Sequence, residues 1–224
     1  EFLCDFSAAG DDQLISLNDV ETASRREYPL GSMDYAPRVL GVDPARFGND
    51  RSVIMPRQGL QAFDPLVFRG LHNMEFADRI AAKINSWKPD AVFIDSGQGA
   101  GVIDRLRQMG YSVIEVNFGG KANDPHFVNR RTEMWFRMAE AIVQGLAIPN
   151  DNSLKLELAT PVYRFDVQNR IALESKDDIK KRMPEGASPD IADSLALTYA
   201  APVAKASVVP HRNAARDYDP YALK

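Results

Sequence analysis

Hydrophobic residues in the first half of the chain fall into short apolar runs separated by turns. These runs predict strands near 38–44, 52–57 and 61–69, and a Gly-Asn-Asp turn at 48–50 joins the first two. Tight connections of this kind predict an antiparallel meander of three strands.

The pattern then changes to helices that alternate with strands. Apolar residues recur at helical spacing from Met74 to Trp87, directly before the apolar strand 90–95. Helix crossovers between strands require parallel pairing, so the sheet is predicted to be mixed and flanked by helices, an α/β fold. The further predicted elements are helices at 100–109, 128–144 and 153–160, a strand at 113–116 and a hairpin over 162–173 that turns at 168–169.

The stretch SPDIADSLALTYAA predicts the last helix. Ser188 is a suitable N-cap, and Pro189 suits the first helical position.

Both ends of the chain lack such periodicity. We interpret residues 1–36 as a linker, 37–202 as the main domain and 203–224 as a flexible tail. The chain opens on EFLCDF without an initiator methionine, so we expect a larger N-terminal module to precede it.

Composition narrows the class of protein. At 224 residues and 45% hydrophobic content the chain can fill one substantial core. No apolar run approaches the roughly 20 residues of a membrane span, so we expect no membrane association. The single cysteine, Cys4, is compatible with a reducing cytoplasm. The formal net charge of −4 argues against a basic nucleic-acid coat protein but allows a DNA enzyme.

Three aspartates lie at the edges of apolar elements. Asp43 and Asp95 each end a predicted buried strand, and Asp193 lies one turn inside the last helix. Converging carboxylates repel one another unless cations neutralise them. No Lys or Arg lies adjacent to these three aspartates in the sequence to do so. Hard divalent cations with oxygen ligands are the usual solution, which predicts Mg²⁺ or Mn²⁺.

Two further acids are secondary candidates as metal ligands. Asp190 shares a helix side with Asp193, although it would also be favoured there by the helix dipole. Asp50 follows the first turn, where plain turn chemistry is the alternative. Zinc is not expected, because the three histidines show no metal-ligand spacing: His72, His126 and His211.

Basic residues supply candidate DNA contacts, with an ordinary solvated helix face as the alternative for each cluster. Lys121 lies in the loop GGKAND between flexible glycines. Trp135 and Phe136 are interpreted as core residues rather than base-stacking platforms. The other candidate contacts to phosphate are Arg130, Arg131, Lys176, Lys180 and Lys181.

The order of these elements resembles the ribonuclease H-like fold, in which acids come from the first strand, the fourth strand and the last helix. The segments NRRTEMWFRMAEAIVQG, RIALESKDDIKKRM and SPDIADSLALTYA are similar to the C-terminal nuclease domain of the large terminase subunit of tailed bacteriophages. EFLCDF is similar to the segment that leaves the ATPase domain of those proteins.

This resemblance implies a nuclease that cuts concatemeric double-stranded viral DNA with little sequence specificity, in the cytoplasm of the infected host. It implies two divalent ions, with Asp43 bridging both, Asp95 holding one and Asp193 the other. The implied partners are DNA, an N-terminal ATPase domain of the same polypeptide, the portal and the small terminase subunit.

Three alternatives stay open at this stage. A RuvC-like junction resolvase uses a similar acid set and last helix. An actin-like nucleotide-binding domain would use GVDPARFGND around phosphate, but it needs a second lobe. A non-enzymatic module could dock on a portal ring through the tail 203–224.

Overall fold

A mixed β-sheet forms the centre of the protein, whose computed structural model describes residues 12–45 and 51–206. Its strands are β1 (Arg38–Asp43), β2 (Ser52–Gln58), β3 (Gln61–Ala62), β4 (Leu66–Phe68), β5 (Ala91–Asp95) and β6 (Ile114–Val116). They lie in the order β3-β2-β1-β5-β6, and β4 also pairs with β2. Strand β1 is antiparallel to β2 but parallel to β5, which is parallel to β6. The predicted α/β class and mixed sheet are confirmed.

Seven helices and a separate hairpin complete the described part of the fold. The helices are α1 (Leu17–Arg25), α2 (Asn73–Trp87), α3 (Ser96–Gln108), α4 (Arg130–Gln144), α5 (Asn152–Ala159), α6 (Lys176–Arg182) and α7 (Asp190–Leu197). Strands β7 (Tyr163–Phe165) and β8 (Ile171–Leu173) form the hairpin. Within residues 12–45 and 51–206, no helix is both long and apolar enough to cross a bilayer.

The third predicted strand, 61–69, is divided in two. Residues 63–65 belong to neither strand, although the Phe63 amide still donates to the Pro56 carbonyl oxygen of β2 at 2.9 Å. Pro65 lacks the N–H that a ladder hydrogen bond needs, so the strand is interrupted there and resumes at Leu66.

Alternating side chains of the central strands supply two cores, one on each face of the sheet. Val39 of β1 and Phe93 of β5 belong to the core covered by α1, α4, α5 and α7. Leu40 and Ile94, the next residues along each strand, belong to the core covered by α2 and α3. Successive side chains of a strand point to opposite faces, and helices cover both faces of this sheet. The strands are therefore apolar on both sides, and their polar residues lie at the strand ends.

The segment interpreted as a linker contains a packed helix. Ser16 caps α1 by accepting a hydrogen bond from the Asp19 amide at 3.1 Å. Val20 and Ala23 are completely buried in the core beneath α4 and α5. We interpreted residues 1–36 as a linker because they show no clear period; in the described part of that segment, residues 12–36, a nine-residue helix with two core residues is present, which is too short to give such a period. Residues 1–11 lie outside the described part of the chain.

Helix α7 packs directly across β1 and β2. The close approach depends on Gly41 in β1, because a Cβ there would overlap the Ser194 carbonyl oxygen and lie 3.0 Å from Thr198 Cγ2. The predicted N-cap of this helix is wrong by one residue: Pro189, not Ser188, occupies the cap, and Asp190 is the first helical residue.

We expect Gly41→Ala to destabilise the fold by about 2–3 kcal/mol, because the backbone of α7 must move to admit one methyl group. The free energy of unfolding in denaturant measures this cost. Gly119→Ala is the matched control, since a Cβ at Gly119 meets only Asn117 Oδ1 at 3.5 Å. Equal stability of the two variants would contradict the proposed tight contact.

Candidate metal centre

Asp43 and Asp95 lie side by side at one edge of the sheet. Each is the last residue of its strand, and β1 and β5 run parallel with Val42 opposite Ile94. Both carboxylates are buried, at 4% and 7% exposure, yet both line a cleft of about 490 Å³. The cleft is thus located beyond the carboxyl ends of parallel strands, where open α/β sheets bind ligands.

Helix α7 brings two more carboxylates towards the same place, with different surroundings. Asp190 lines the cleft. Asp193 lies one turn further along α7 and is completely buried. Its Oδ1 accepts hydrogen bonds from Arg131 Nε at 2.9 Å and from Trp135 Nε1 at 2.7 Å, so two side chains of α4 hold it in the interior.

Lys176, the first residue of α6, lies among these acids. Its Nζ is 3.1 Å from Asp43 Oδ2 and 2.9 Å from Asp193 Oδ2, and it lies 5.3 Å from the centre of the Phe118 ring. We expected no lysine or arginine partner for the aspartates from their sequence neighbours. The structure supplies one that is 133 residues from Asp43.

The burial of these groups and their closeness to one another shift their pKa values. Burial raises the pKa of Asp43 to about 8, with Lys176 opposing the shift and the other three aspartates adding to it. Burial also raises the pKa of Asp95. Burial acts in the same direction on Asp193, but Arg131 and Lys176 outweigh it, and the pKa of Asp193 lies below its usual range. Desolvation opposes the charge on Lys176, yet Asp193 and Asp43 raise its pKa.

The donor set suits a hard cation, although the side chains are not arranged around one. Asp95 Oδ1 is buried without a hydrogen-bond partner, which leaves a carboxylate oxygen available as a ligand. Among residues 12–45 and 51–206, however, no three acidic, histidine or cysteine side chains are grouped closely enough to hold an ion. The Lys176 ammonium provides the physical reason, since it already bridges two of the carboxylates.

The basic residues predicted to contact DNA lie in different environments. Arg131 is buried against Asp193, so its guanidinium faces the interior. Arg130 pairs with the buried Glu133 at 2.8 Å. Lys121 and Lys181 are exposed, with Lys181 2.7 Å from Asp178. Lys180 belongs to the same short helix as Lys181.

Three further residues were singled out from the sequence. Trp135 and Phe136 are core residues, as predicted. Asp50, a secondary metal candidate, lies outside the described residues.

Two buried polar residues beside the cleft had no place in our sequence interpretation. Arg51 lines the cleft, and Glu157 of α5 forms an ion pair with it at 2.5 Å. A signal for Glu157 was present: it lies between Leu154 and Leu158 on the core-facing side of α5, where an acid needs a buried partner.

The fold of this chain is similar to that of the nuclease domains of phage large terminase subunits. The nuclease domain of the large terminase subunit gp2 of bacterial virus Sf6 superposes with a TM-score of 0.72 at 19% identity, covering 85% of this chain and 99% of that one. The large terminase nuclease of thermophilic phage G20c gives 0.63 at 16%, covering 84% and 97%. The large terminase nuclease domain of Thermus phage P74-26 gives 0.57 at 16%, covering 82% and 94%. The predicted resemblance is confirmed at the level of the fold.

Metals have been observed in these related structures. The G20c nuclease was solved with bound magnesium and with bound cobalt. A K428A variant of the Sf6 domain was solved with manganese and with calcium. No protein-family model and no curated protein sequence matches the present chain.

The raised pKa of Asp43 predicts how stability depends on pH without metal. Folded Asp43 keeps its proton up to about pH 8, whereas the unfolded chain releases it near 3.8. The folded state therefore holds more protons between these values, and the free energy of unfolding should fall as pH rises through that window. Asp95 and Glu157, whose pKa values burial also raises, add to the same slope.

Denaturant unfolding in EDTA between about pH 5 and about pH 8 measures this slope. We expect Asp43→Asn to reduce it and Asp178→Asn, which changes an exposed acid on α6, to leave it unchanged. A slope that is equally steep in the Asp43 variant would show that Asp43 is ionised in the metal-free fold.

Proposed function

We propose that this chain is a divalent-metal-dependent endonuclease domain of a phage DNA-packaging terminase. The observation that carries the proposal is the cleft at the carboxyl ends of β1 and β5, which is lined by Asp43, Asp95 and Asp190 in a fold shared with terminase nucleases. Two Mg²⁺ or Mn²⁺ ions bound there would activate a water molecule and stabilise the leaving oxygen of a phosphodiester.

We assign the ligand role on α7 to Asp190 in preference to Asp193. Asp190 lines the cleft, whereas both oxygens of Asp193 face cations or donors of the protein interior. Asp193 is then an anchor that fixes α7 to α4 through Arg131 and Trp135. This assignment changes the resemblance-based expectation, in which Asp193 held the second ion.

Lys176 has two roles in this proposal. Without metal its ammonium contacts Asp43 and balances the charge of Asp193. Bound ions would neutralise these carboxylates, and the ammonium would no longer be needed beside Asp43. Its side chain is 31% exposed, so a path towards the cleft and solvent is open to it.

The remaining roles follow from exposure and charge. Lys121 and Lys181 are surface residues and could contact DNA phosphates, as could Lys180. Arg131 and Arg130 instead support α4 and its buried acids. We further propose that an ATPase domain of the same polypeptide, the portal and the small terminase subunit are partners in the cytoplasm of the infected host.

Variants of the two acids on α7 test the assignment. We expect Asp190→Ala to lower Mg²⁺-dependent plasmid cleavage by more than about 100-fold, as Asp43→Ala and Asp95→Ala should, because a metal ligand is lost. Asp193→Asn should instead lower the free energy of unfolding by about 3–5 kcal/mol, because it breaks a buried ion pair.

Plasmid and four-way-junction substrates are cut in parallel, and unfolding is followed in the same samples. Wild-type cleavage by the Asp43 or Asp95 variant would refute the site. Normal cleavage by the Asp190 variant would return the ligand role to Asp193. A strong preference for junctions over linear duplex would favour the resolvase alternative.

Lys176→Ala tests whether the ammonium and the ions compete. We expect the variant to bind Mn²⁺ about 10-fold more tightly or better, because no cation has to be displaced from Asp43. The metal-free variant should also be less stable, so that Mn²⁺ raises its Tm more than that of the wild type. Calorimetry and thermal unfolding measure both effects.

Lys181→Ala is the control, because Lys181 lies on the same helix but pairs with the exposed Asp178. It should change neither Mn²⁺ affinity nor metal-free stability appreciably. Unchanged Mn²⁺ affinity in the Lys176 variant would show that the ammonium does not occupy the metal position.

A further inference from the structure

The N-terminus of α7 is capped by a side chain from another helix. Glu157 Oε2 accepts hydrogen bonds from the amides of Ile191 at 2.8 Å and Ala192 at 2.9 Å. The N-cap residue itself, Pro189, offers no side-chain hydrogen bond. Glu157 therefore satisfies two of the amides that a helix N-terminus leaves without partners, and its charge favours that end of the helix dipole.

Arg51 connects this cap to Asp190. Its Nη2 donates to Glu157 Oε1 at 2.5 Å and to the Ser188 carbonyl oxygen at 2.7 Å. Its backbone amide donates to Asp190 Oδ2 at 2.9 Å, and its Nε lies 3.6 Å from the same oxygen. All of these contacts are made either to the segment 188–192 or to Glu157, which caps it.

We propose that Glu157 and Arg51 are positioning residues that set the Asp190 carboxylate for metal binding. The first turn of a helix frays readily, and Asp190 is the first residue of α7. The cap fixes the backbone of that turn, while Arg51 orients Oδ2 and leaves the carboxylate on the wall of the cleft. This inference rests on the proposed function, because it assumes that Asp190 is a metal ligand.

The choice of residues supports positioning over stability alone. Glu157 is almost fully buried, and the side chain of Arg51 is only 10% exposed, so the pair has a desolvation cost that apolar residues would avoid. Leu154 and Leu158 show that apolar side chains are accommodated next to Glu157 on α5. The charged pair brings directional bonds to the first turn of α7 and places the Arg51 guanidinium 3.6 Å from Asp190 Oδ2, which apolar packing cannot do.

Mn²⁺ binding by the full chain tests the proposal. Glu157→Gln keeps an oxygen for the α7 amides but turns an NH₂ group towards Arg51, so it breaks the ion pair that holds the Arg51 side chain beside Asp190. We expect Mn²⁺ affinity to fall by about 10- to 100-fold, as is typical when a residue that orients a metal ligand is changed. Arg51→Met should give a similar loss, and Arg51→Lys should recover part of it by restoring the charge beside Glu157.

Arg57→Met is the matched structural control. Arg57 donates to Thr198 Oγ1 and to the Thr198 carbonyl oxygen, both at 2.8 Å, and so caps the opposite end of the same helix. This variant should lose stability and keep wild-type Mn²⁺ affinity. Titrations followed by the Mn²⁺ spin-resonance signal are compared with the Tm of each variant.

The outcomes separate the two proposals. If the wild type binds Mn²⁺ and the Glu157 and Arg51 variants bind it equally well, whatever their Tm, the positioning role is refuted and the proposed function stands. If affinity falls in the Arg57 variant as much as in the others, the effect is one of stability and the positioning role is also refuted. If the wild type binds no Mn²⁺, both proposals fall. If Glu157→Gln fails to fold, Arg51→Lys alone tests the positioning role.

Discussion

The concentration of negative charge at the carboxyl ends of β1 and β5 is the constraint on which the rest of the structure depends. Asp43, Asp190 and Asp193 are all nearly or fully buried, and burial together with the other aspartates raises the pKa of Asp43. Carboxylates in such surroundings need partners, because an unpaired buried charge is strongly destabilising. Three cationic side chains from separate parts of the chain supply them: Arg51, Arg131 and Lys176. The charge is therefore balanced only when the whole fold has closed.

Helix α7 places its two acids in different surroundings. Asp190 and Asp193 are three residues apart and share a helix side, yet their surroundings differ. Asp193 faces α4 and is fully enclosed, while Asp190 is one turn nearer the helix N-terminus and reaches the cleft. Because Gly41 lets α7 lie directly on β1, a small shift of that helix would move both acids relative to Asp43.

The sequence predicted those features that depend on local patterns. Alternating apolar residues located the strands, and the rule that parallel strands share a carboxyl edge brought Asp43 and Asp95 together. Lys176 could not be placed from its neighbours, because its partner Asp43 is 133 residues away. The basic residues of α4 were misleading for the same reason. Arg131 is part of a basic stretch of sequence that suggested an exposed surface, but its partner Asp193 lies on another helix. The cap of α7 also comes from a distant helix, so Glu157 carried no local capping signature.

Under the proposed function, charge compensation by Lys176 affects the order in which metal ions and DNA bind. In the cleft without metal, Lys176 and Arg51 offset the charge of the carboxylates, so the cleft offers little surplus positive charge to a phosphodiester, and the chain as a whole carries a net charge of −4. Divalent ions that replace the ammonium would add positive charge at the cleft and attract the DNA backbone. By thermodynamic linkage, DNA must strengthen ion binding by the same factor. Metal and DNA would then bind cooperatively, and an isolated domain at low metal concentration would hold its catalytic acids in an inactive, lysine-bridged state.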